Sequence, residues 1–249
     1  MIPGRSPGGG LLATLDPRSR TIAAALFALV VVGQDSLPTL GMAVTLALLT
    51  AVLARLDPIA TLRRLLALDG FMVLALASLP FTVPGETAFA LFGIEASQAG
   101  LRLSLAILLK ANAVVLMMLA LLGSMDPVAF GQALRRLGVP EKLVQIYLFT
   151  LRYLDVLHHE FRRLRTAMRA RAFTLRSDRH TWRSLGYLVG MLMVRSVERS
   201  ERIVAAMRCR GFDGSFPVLD EPSRFRRPDG VFAGLALVGM SLLVMVEVS

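Results

Sequence analysis

Seven residues occur twice in this chain with nearly the same letters. Ala167-Met168-Arg169-Ala170-Arg171-Ala172-Phe173 returns thirty-nine residues later as Ala206-Met207-Arg208-Cys209-Arg210-Gly211-Phe212. Each copy sets one arginine between two small residues: Arg171 between Ala170 and Ala172, Arg210 between Cys209 and Gly211. Small neighbours let a foreign backbone come close, and a guanidinium offers a rigid, always-charged fork that grips a carboxylate or carbonyl at two points. The chemistry available is recognition, and two equivalent knobs suit two equivalent sockets, such as the subunits of a dimer.

Residues for bond-making are sparse. No Gly-x-x-x-x-Gly-Lys-Ser/Thr segment occurs, and neither Lys110 nor Lys142 follows a glycine-rich loop, so ATP hydrolysis by a P-loop is not expected. Gly8-Gly9-Gly10 lacks that lysine and reads as a flexible start. Adjacent His158 and His159 point in different directions on a helix, Glu160 does not complete a metal-helix motif, and His180 stands apart, so no metal site is assigned. The lone cysteine, Cys209, excludes an intramolecular disulfide. An enzyme acting on an anionic lipid or sugar phosphate would need clustered carboxylates or histidines, whereas the acids here are scattered. No catalytic residue and no cofactor are assigned.

These residues sit in a chain built for a bilayer. Of 249 residues 55% are apolar and only 18% charged, against roughly 45–50% and about 25% in ordinary globular domains. Long charge-free runs alternate with charged blocks. Five runs are candidate transmembrane helices: Thr21–Gln34, Leu37–Leu53, Gly70–Val83, Leu103–Met125 and Val231–Val246. The first is expected to be a retained span, since it ends without a small-x-small cleavage pattern.

Loop charges set an orientation. Arg5, Arg18 and Arg20 precede the first run, Arg55, Arg63 and Arg64 follow the second, and Arg135 and Arg136 follow the fourth. The opposite loops, 35–36 and 84–100, carry only Asp35, Glu86 and Glu95, with Arg102 the one stray positive charge at the outer edge of the fourth run. Positive residues collect on the cytoplasmic side, so the expectation is a multi-pass inner-membrane protein with a cytoplasmic N-terminus. Lys110, about eight residues into the fourth run, is an intramembrane charge, for which Asp69 is the nearest acidic candidate.

The chain divides into residues 1–125 with four spans, 126–228 as a cytoplasmic or interfacial arm, and 229–249 with the last span. Between Arg135 and Arg227 lie 20 of the 28 Lys and Arg residues against nine acids. Asp126-Pro127 signals a helix start, as do Asp16-Pro17 and Asp57-Pro58, and Gly138 closes the short helix that Asp126 opens. Two long amphipathic helices follow, one from after Pro140 to about Phe173 and one from Thr181 to about Cys209, each apolar at first and increasingly basic. Both are expected to lie along the membrane surface against lipid. Gly186/Gly190 and Gly230/Gly234 are spaced to let helices pack closely. Tethered at a membrane and poor in stacking aromatics, the arm is not expected to bind nucleic acid. The fold class is all-α.

At the paired motifs the sequence resembles the transmembrane T component of an energy-coupling factor transporter, and within that family the cobalt-transport Q proteins. Leu15-Asp16-Pro17-Arg18, Arg152-Tyr153-Leu154 and the run from Arg195-Ser196-Val197-Glu198-Arg199 to Arg210-Gly211-Phe212-Asp213-Gly214 share the likeness. Members carry two Ala-Arg-Gly-type motifs; here they read Ala170-Arg171-Ala172 and Cys209-Arg210-Gly211. Alanine avoids the left-handed conformation, so Ala172 is the weaker helix terminator. The resemblance implies a non-catalytic subunit whose coupling helices sit in grooves of two ABC-type ATPase subunits, with Arg171 and Arg210 as anchors. It also implies a separate substrate-capture membrane subunit. Cobalt is the implied cargo, with nickel or a vitamin as alternatives.

Overall fold

The computed structural model describes residues 15–84, 87–91, 94–174, 176–212 and 227–248. Arg5, Gly8 to Gly10, Glu86, Asp213, Gly214, Asp220 and Glu221 lie outside them. Nine helices and one two-stranded hairpin are described, and they fall into two compact units.

The first unit holds α1 (Pro17–Val32), α2 (Leu37–Leu53), α3 (Pro58–Leu76), α4 (Leu79–Thr82), α5 (Gln98–Leu121), α6 (Pro127–Arg136) and α9 (Arg227–Val248). Among the described residues three stretches are long and apolar enough to cross a membrane: Pro58–Thr82, Gln98–Leu121 and Pro228–Glu247; α2 is a shorter apolar helix. The starts follow the signalled caps. Asp16 Oδ1 accepts from Arg18 N at 3.0 Å and Asp126 Oδ1 from Val128 N at 3.5 Å, satisfying donors that a helix leaves orphaned. Asp57 occupies the N-cap of α3 without a side-chain bond.

Two expectations from sequence are revised. The loop carrying Arg63 and Arg64 is helical, because nothing between Pro58 and Leu76 breaks the helix that Asp57-Pro58 starts. The loop before α5 contains a short antiparallel hairpin, β1 (Thr87–Leu91) with β2 (Ile94–Ser97), in which Leu91 faces Ile94 and Ala90 faces Glu95.

α5 is the central post of this unit, packing on α1, α2, α3 and α4. Its seam with α2 is made of small residues. Ala43, Ala47 and Ala51 fall four apart on α2 with Ala54 at its C-cap, and Ala106, Ala113 and Ala120 fall seven apart on α5; all are buried. Without a hydrophobic force between helices in lipid, close approach through small side chains is what holds them. Gly100 allows a second close approach, since a Cβ there would stand 2.7 Å from the Leu79 carbonyl oxygen and the Pro80 Cα.

Of the glycines paired by spacing, Gly186, Gly190 and Gly234 make no such approach among the described residues of this chain. A Cβ on Gly186, Gly190 or Gly234 would meet nothing within 4 Å. The spacing was present, but the alanine stripes carry the packing.

Polar bonds pin both ends of this unit. At one end Asp16 N donates to Asp229 Oδ1 at 2.7 Å, tying the start of α1 to the first turn of α9. Arg20, 2% exposed, donates to the Leu121 carbonyl oxygen and to Ser124 Oγ, covering the C-terminus of α5, where a cation suits the helix dipole. At the other end Glu247 of α9 accepts from Asp35 N at 3.0 Å, Ser36 Oγ at 2.7 Å and Thr39 Oγ1 at 2.7 Å. That carboxylate caps the N-terminus of α2 from a different helix.

Lys110 pairs with Asp35 rather than Asp69. Its Nζ donates to Asp35 Oδ1 at 2.9 Å and to the Val32 carbonyl oxygen at 3.2 Å. Asp69 instead accepts from Asn112 Nδ2 at 2.8 Å. Positions 110 and 112 lie about 200° apart around a helix with 3.6 residues per turn, so one serves α1 and the other α3.

Candidate functional site

The second unit carries α7 (Glu141–Ala170) and α8 (Arg179–Arg208), the two amphipathic helices read from the sequence. Its candidate residues stand where these helices end, and the endings are built alike. On α7, Ala172 N donates to the Arg169 carbonyl oxygen at 3.0 Å and Phe173 N to that of Met168 at 3.1 Å. On α8, Gly211 N donates to Arg208 at 3.0 Å and Phe212 N to Met207 at 3.1 Å. Ala172 takes φ +59° and Gly211 φ +81°. This is the left-handed cap whose paired bonds satisfy the last carbonyls of a helix. The repeat in sequence is therefore a repeat in backbone shape.

Ala172 adopts the conformation that alanine disfavours, which corrects the expectation of a weaker terminator. The rest of the cap holds it there, against roughly 1–2 kcal/mol of left-handed strain. Two reciprocal outcomes follow. Ala172→Gly is expected to slow amide exchange in the last turn of α7, and Gly211→Ala to speed it in α8, each by about 1 kcal/mol of local opening. Equal protection in all three proteins would contradict the cap.

The cap alone does not mark a site. α2 ends the same way at Arg55 (φ 51°), with Leu56 N donating to the Ala51 carbonyl oxygen at 3.2 Å. α6 does so at Gly138 (φ 86°), with Val139 N donating to that of Leu134 at 3.2 Å. What separates α7 and α8 is the residue just before the left-handed position. It is Arg171 or Arg210 there, but Ala54 and Leu137 on the other two.

All six motif residues, Ala170, Arg171, Ala172, Cys209, Arg210 and Gly211, are exposed. Among the described residues neither the Arg171 nor the Arg210 guanidinium has a hydrogen-bond or ion-pair partner. Both forks stand free for an external acceptor. A cavity of about 720 Å³ adjoins the first motif, lined by Leu164, Met168, Arg171, Phe173, Leu188 and Met191 among others. The second motif does not line it.

Elsewhere α7 and α8 meet around Glu160 and Arg195, whose Nη1 donates to Glu160 Oε1. Beside this pair is an open groove of about 840 Å³, lined by Leu157, His158, Phe161, Val189, Met193 and Val197 among others. His159 Nδ1 lies 2.8 Å from the Asp155 carbonyl oxygen, one turn back on its own helix. His180 lines the other cavity, near the start of α8. Among the described residues no cluster of three His, Cys, Asp or Glu side chains is placed to hold a metal.

The hydrogen bond from Arg195 holds the Glu160 carboxyl below the usual glutamate range. Partial burial opposes this, and the charges of Arg195, Arg163 and Arg199 reinforce it. A carboxylate depressed in the folded state stabilises fully above its ordinary value of about 4.3 and loses that contribution as pH falls through the depressed one. The α7–α8 contact is therefore expected to loosen below about pH 4. In Glu160→Gln the acid loosening should vanish, as read by proteolysis of the 171–178 connection against pH.

Sequence reading missed the Glu160–Arg195 pair and the carboxylates Asp229 and Glu247. Their signal was weak. Each is a single charge whose partner lies at least 35 residues away, and no local spacing announces such a pair.

Two basic helices closed by the same arginine-bearing cap stand in a chain whose membrane-length apolar helices mark it as a membrane protein. The family model described as cobalt transport protein matches residues 9–219, so the chain belongs to that family. The cobalt transport protein CbiQ of Rhodobacter capsulatus is 33% identical over 87 residues, 34% of this chain and 35% of that protein. An uncharacterized protein of Methanocaldococcus jannaschii is 32% identical over 85 residues, 34% of this chain and 31% of that protein. The matched segment thus spans about a third of each curated relative.

Proposed function

We propose that the chain is the membrane-embedded energy-coupling subunit of a cobalt importer of the energy-coupling factor type. Arg171 and Arg210, with Ala170, Ala172, Cys209 and Gly211 beside them, dock into two cytoplasmic ABC-type ATPase subunits. ATP-driven closing and opening of that pair moves α7 and α8, and the motion reaches a substrate-capture membrane subunit. The chain itself is non-catalytic. It lies in the inner membrane as a multi-pass protein, with α1, α2, the α3–α4 stretch, α5 and α9 as spans and the N-terminus in the cytoplasm. The α7–α8 arm rests against lipid.

One observation carries this reading: two helix ends with the same cap each present an exposed, unpaired guanidinium flanked by small residues. The orientation is supported by the bundle's ends. Arg18 and Arg20 share an end with the close of α5 and the start of α9, while Asp35 and Glu247 share the other. Family membership supports the cargo.

The test is uptake by cells co-expressing the chain with an ABC ATPase pair and a capture subunit. Radioactive cobalt should accumulate, and omitting this chain should abolish it. Accumulation of nickel or a vitamin in place of cobalt would move the cargo assignment. Unchanged uptake without the chain would end the coupling role.

A further inference from the structure

We propose that the Glu160–Arg195 ion pair is the fulcrum of α7 and α8, fixing the crossing from which both arginine motifs are levered. As a device for transmitting motion it rests on the coupling role proposed above.

The geometry is that of a crossing with an arm on either side. Near the connection, residues 164–173 of α7 and 180–195 of α8 share one cavity; further on, 154–162 and 189–197 share the other. Past Val197, α8 runs on to Arg208, and α7 begins back at Glu141. The two motifs therefore lie on opposite sides of the crossing. At 1.5 Å per residue, Arg171 ends an arm of about 16 Å beyond Glu160, and Arg210 one of about 22 Å beyond Arg195. A small rotation at the crossing moves either guanidinium several times farther than it moves the crossing itself.

The apolar lining does not fix that angle alone. Val189, Met193, Val197, Leu154 and Leu157 are exposed, so the helices are not locked by an interdigitated core there. The ion pair is directional. Glu160 is 16% exposed at its side chain and Arg195 42%, so the carboxylate is largely withdrawn from water and is held by one guanidinium nitrogen. Arg163 and Arg199 add positive potential at the same carboxylate, which favours the ionised form. Glu160 and Arg195 are thus positioning residues that set where Arg171 and Arg210 stand.

The experiment uses the full-length chain in lipid nanodiscs. Spin labels are placed at the native Cys209 and at Ala170→Cys, one beside each motif, and their separation is read by pulsed electron resonance. The expected result is one narrow distribution that broadens in Glu160→Gln and in Arg195→Met. Because both remove the same contact, the double variant should be no broader than either single. Arg195→Lys, which keeps charge and loses the fork, should fall between, and it serves should Arg195→Met lose helicity. The distribution should broaden with acid, and no longer do so in Glu160→Gln. That variant retains Asp155, His158, His159, Arg162, Arg163 and Arg199, the other ionisable groups around the crossing. Unchanged width in the single variants, or additive broadening in the double, overturns the fulcrum. In the assembled complex, the same variants should keep the ATPase pair bound and lose uptake. A complex that fails to assemble with the native chain removes the coupling role but leaves the distance result standing.

Discussion

Replacing Arg171 and Arg210 together by alanine is expected to release the ATPase pair from the membrane subunit. Both side chains are exposed and, among the described residues, unpaired, so truncation removes no hydrogen bond or ion pair there, and folding of α7 and α8 should be little affected. An arginine anchored in a partner's pocket is worth about 2 kcal/mol or more at a hot spot, or roughly 30-fold in affinity for each single variant. With two separated sockets the losses should add, to about a thousandfold for the pair. Lysine should rescue only part of this, because it keeps the charge and loses the fork. The measurement is titration of the purified ATPase pair onto nanodiscs carrying each variant, with helicity as the folding control. A double variant that binds with native affinity would show that the motifs do not anchor the partner.

That expectation could be formed from sequence because the motif is local. Seven consecutive letters repeated at a helix end determine a cap, and the cap determines where the arginine stands. Helix starts were equally legible wherever an Asp-Pro pair supplied both N-cap and first helical residue. The ends of α6, α7 and α8 were legible too, each within about three residues of its signal. What stayed hidden was pairing across distance. Lys110 is plainly an intramembrane charge in the sequence, yet its partner depends on how α1 returns beside α5. Asp69 was nearer in expectation, but it is bonded to Asn112, a residue with no charge to draw notice. The Glu160–Arg195 pair is hidden for the same reason, since a basic helix offers many arginines and only the crossing selects one. Glycine spacing also does not point to the packing inside this chain. Gly186 and Gly190 carry the familiar pattern on an exposed face, while the alanines that make the α2–α5 seam look like ordinary apolar filling.

The alanine seam gives the second large effect. Ala47→Leu on α2 and Ala113→Leu on α5 are each expected to destabilise the membrane bundle by about 3 kcal/mol, the upper part of the range for overpacking. Both positions are 0% exposed, so the added carbons have nowhere to go except between two helices already in contact. Lipid offers no compensating gain, since a leucine is as well solvated by acyl chains as by protein. The helices must separate, and separation forfeits dispersion along the whole seam, from Ala43 to Ala54 and from Ala106 to Ala120. Val52, 73% exposed on the same α2, provides the control, and Val52→Leu should leave stability unchanged. Gly186→Ala and Gly190→Ala provide a contrast. With nothing within 4 Å of the new methyl, each should strengthen α8 by roughly 0.5–1 kcal/mol through helix propensity. Unfolding of the detergent-solubilised chain, followed by helicity, reads all five variants. A native midpoint for Ala47→Leu and Ala113→Leu would mean that the α2–α5 seam is not tightly packed, and the bundle would then have to be held at its ends, by Asp229, Arg20 and Glu247.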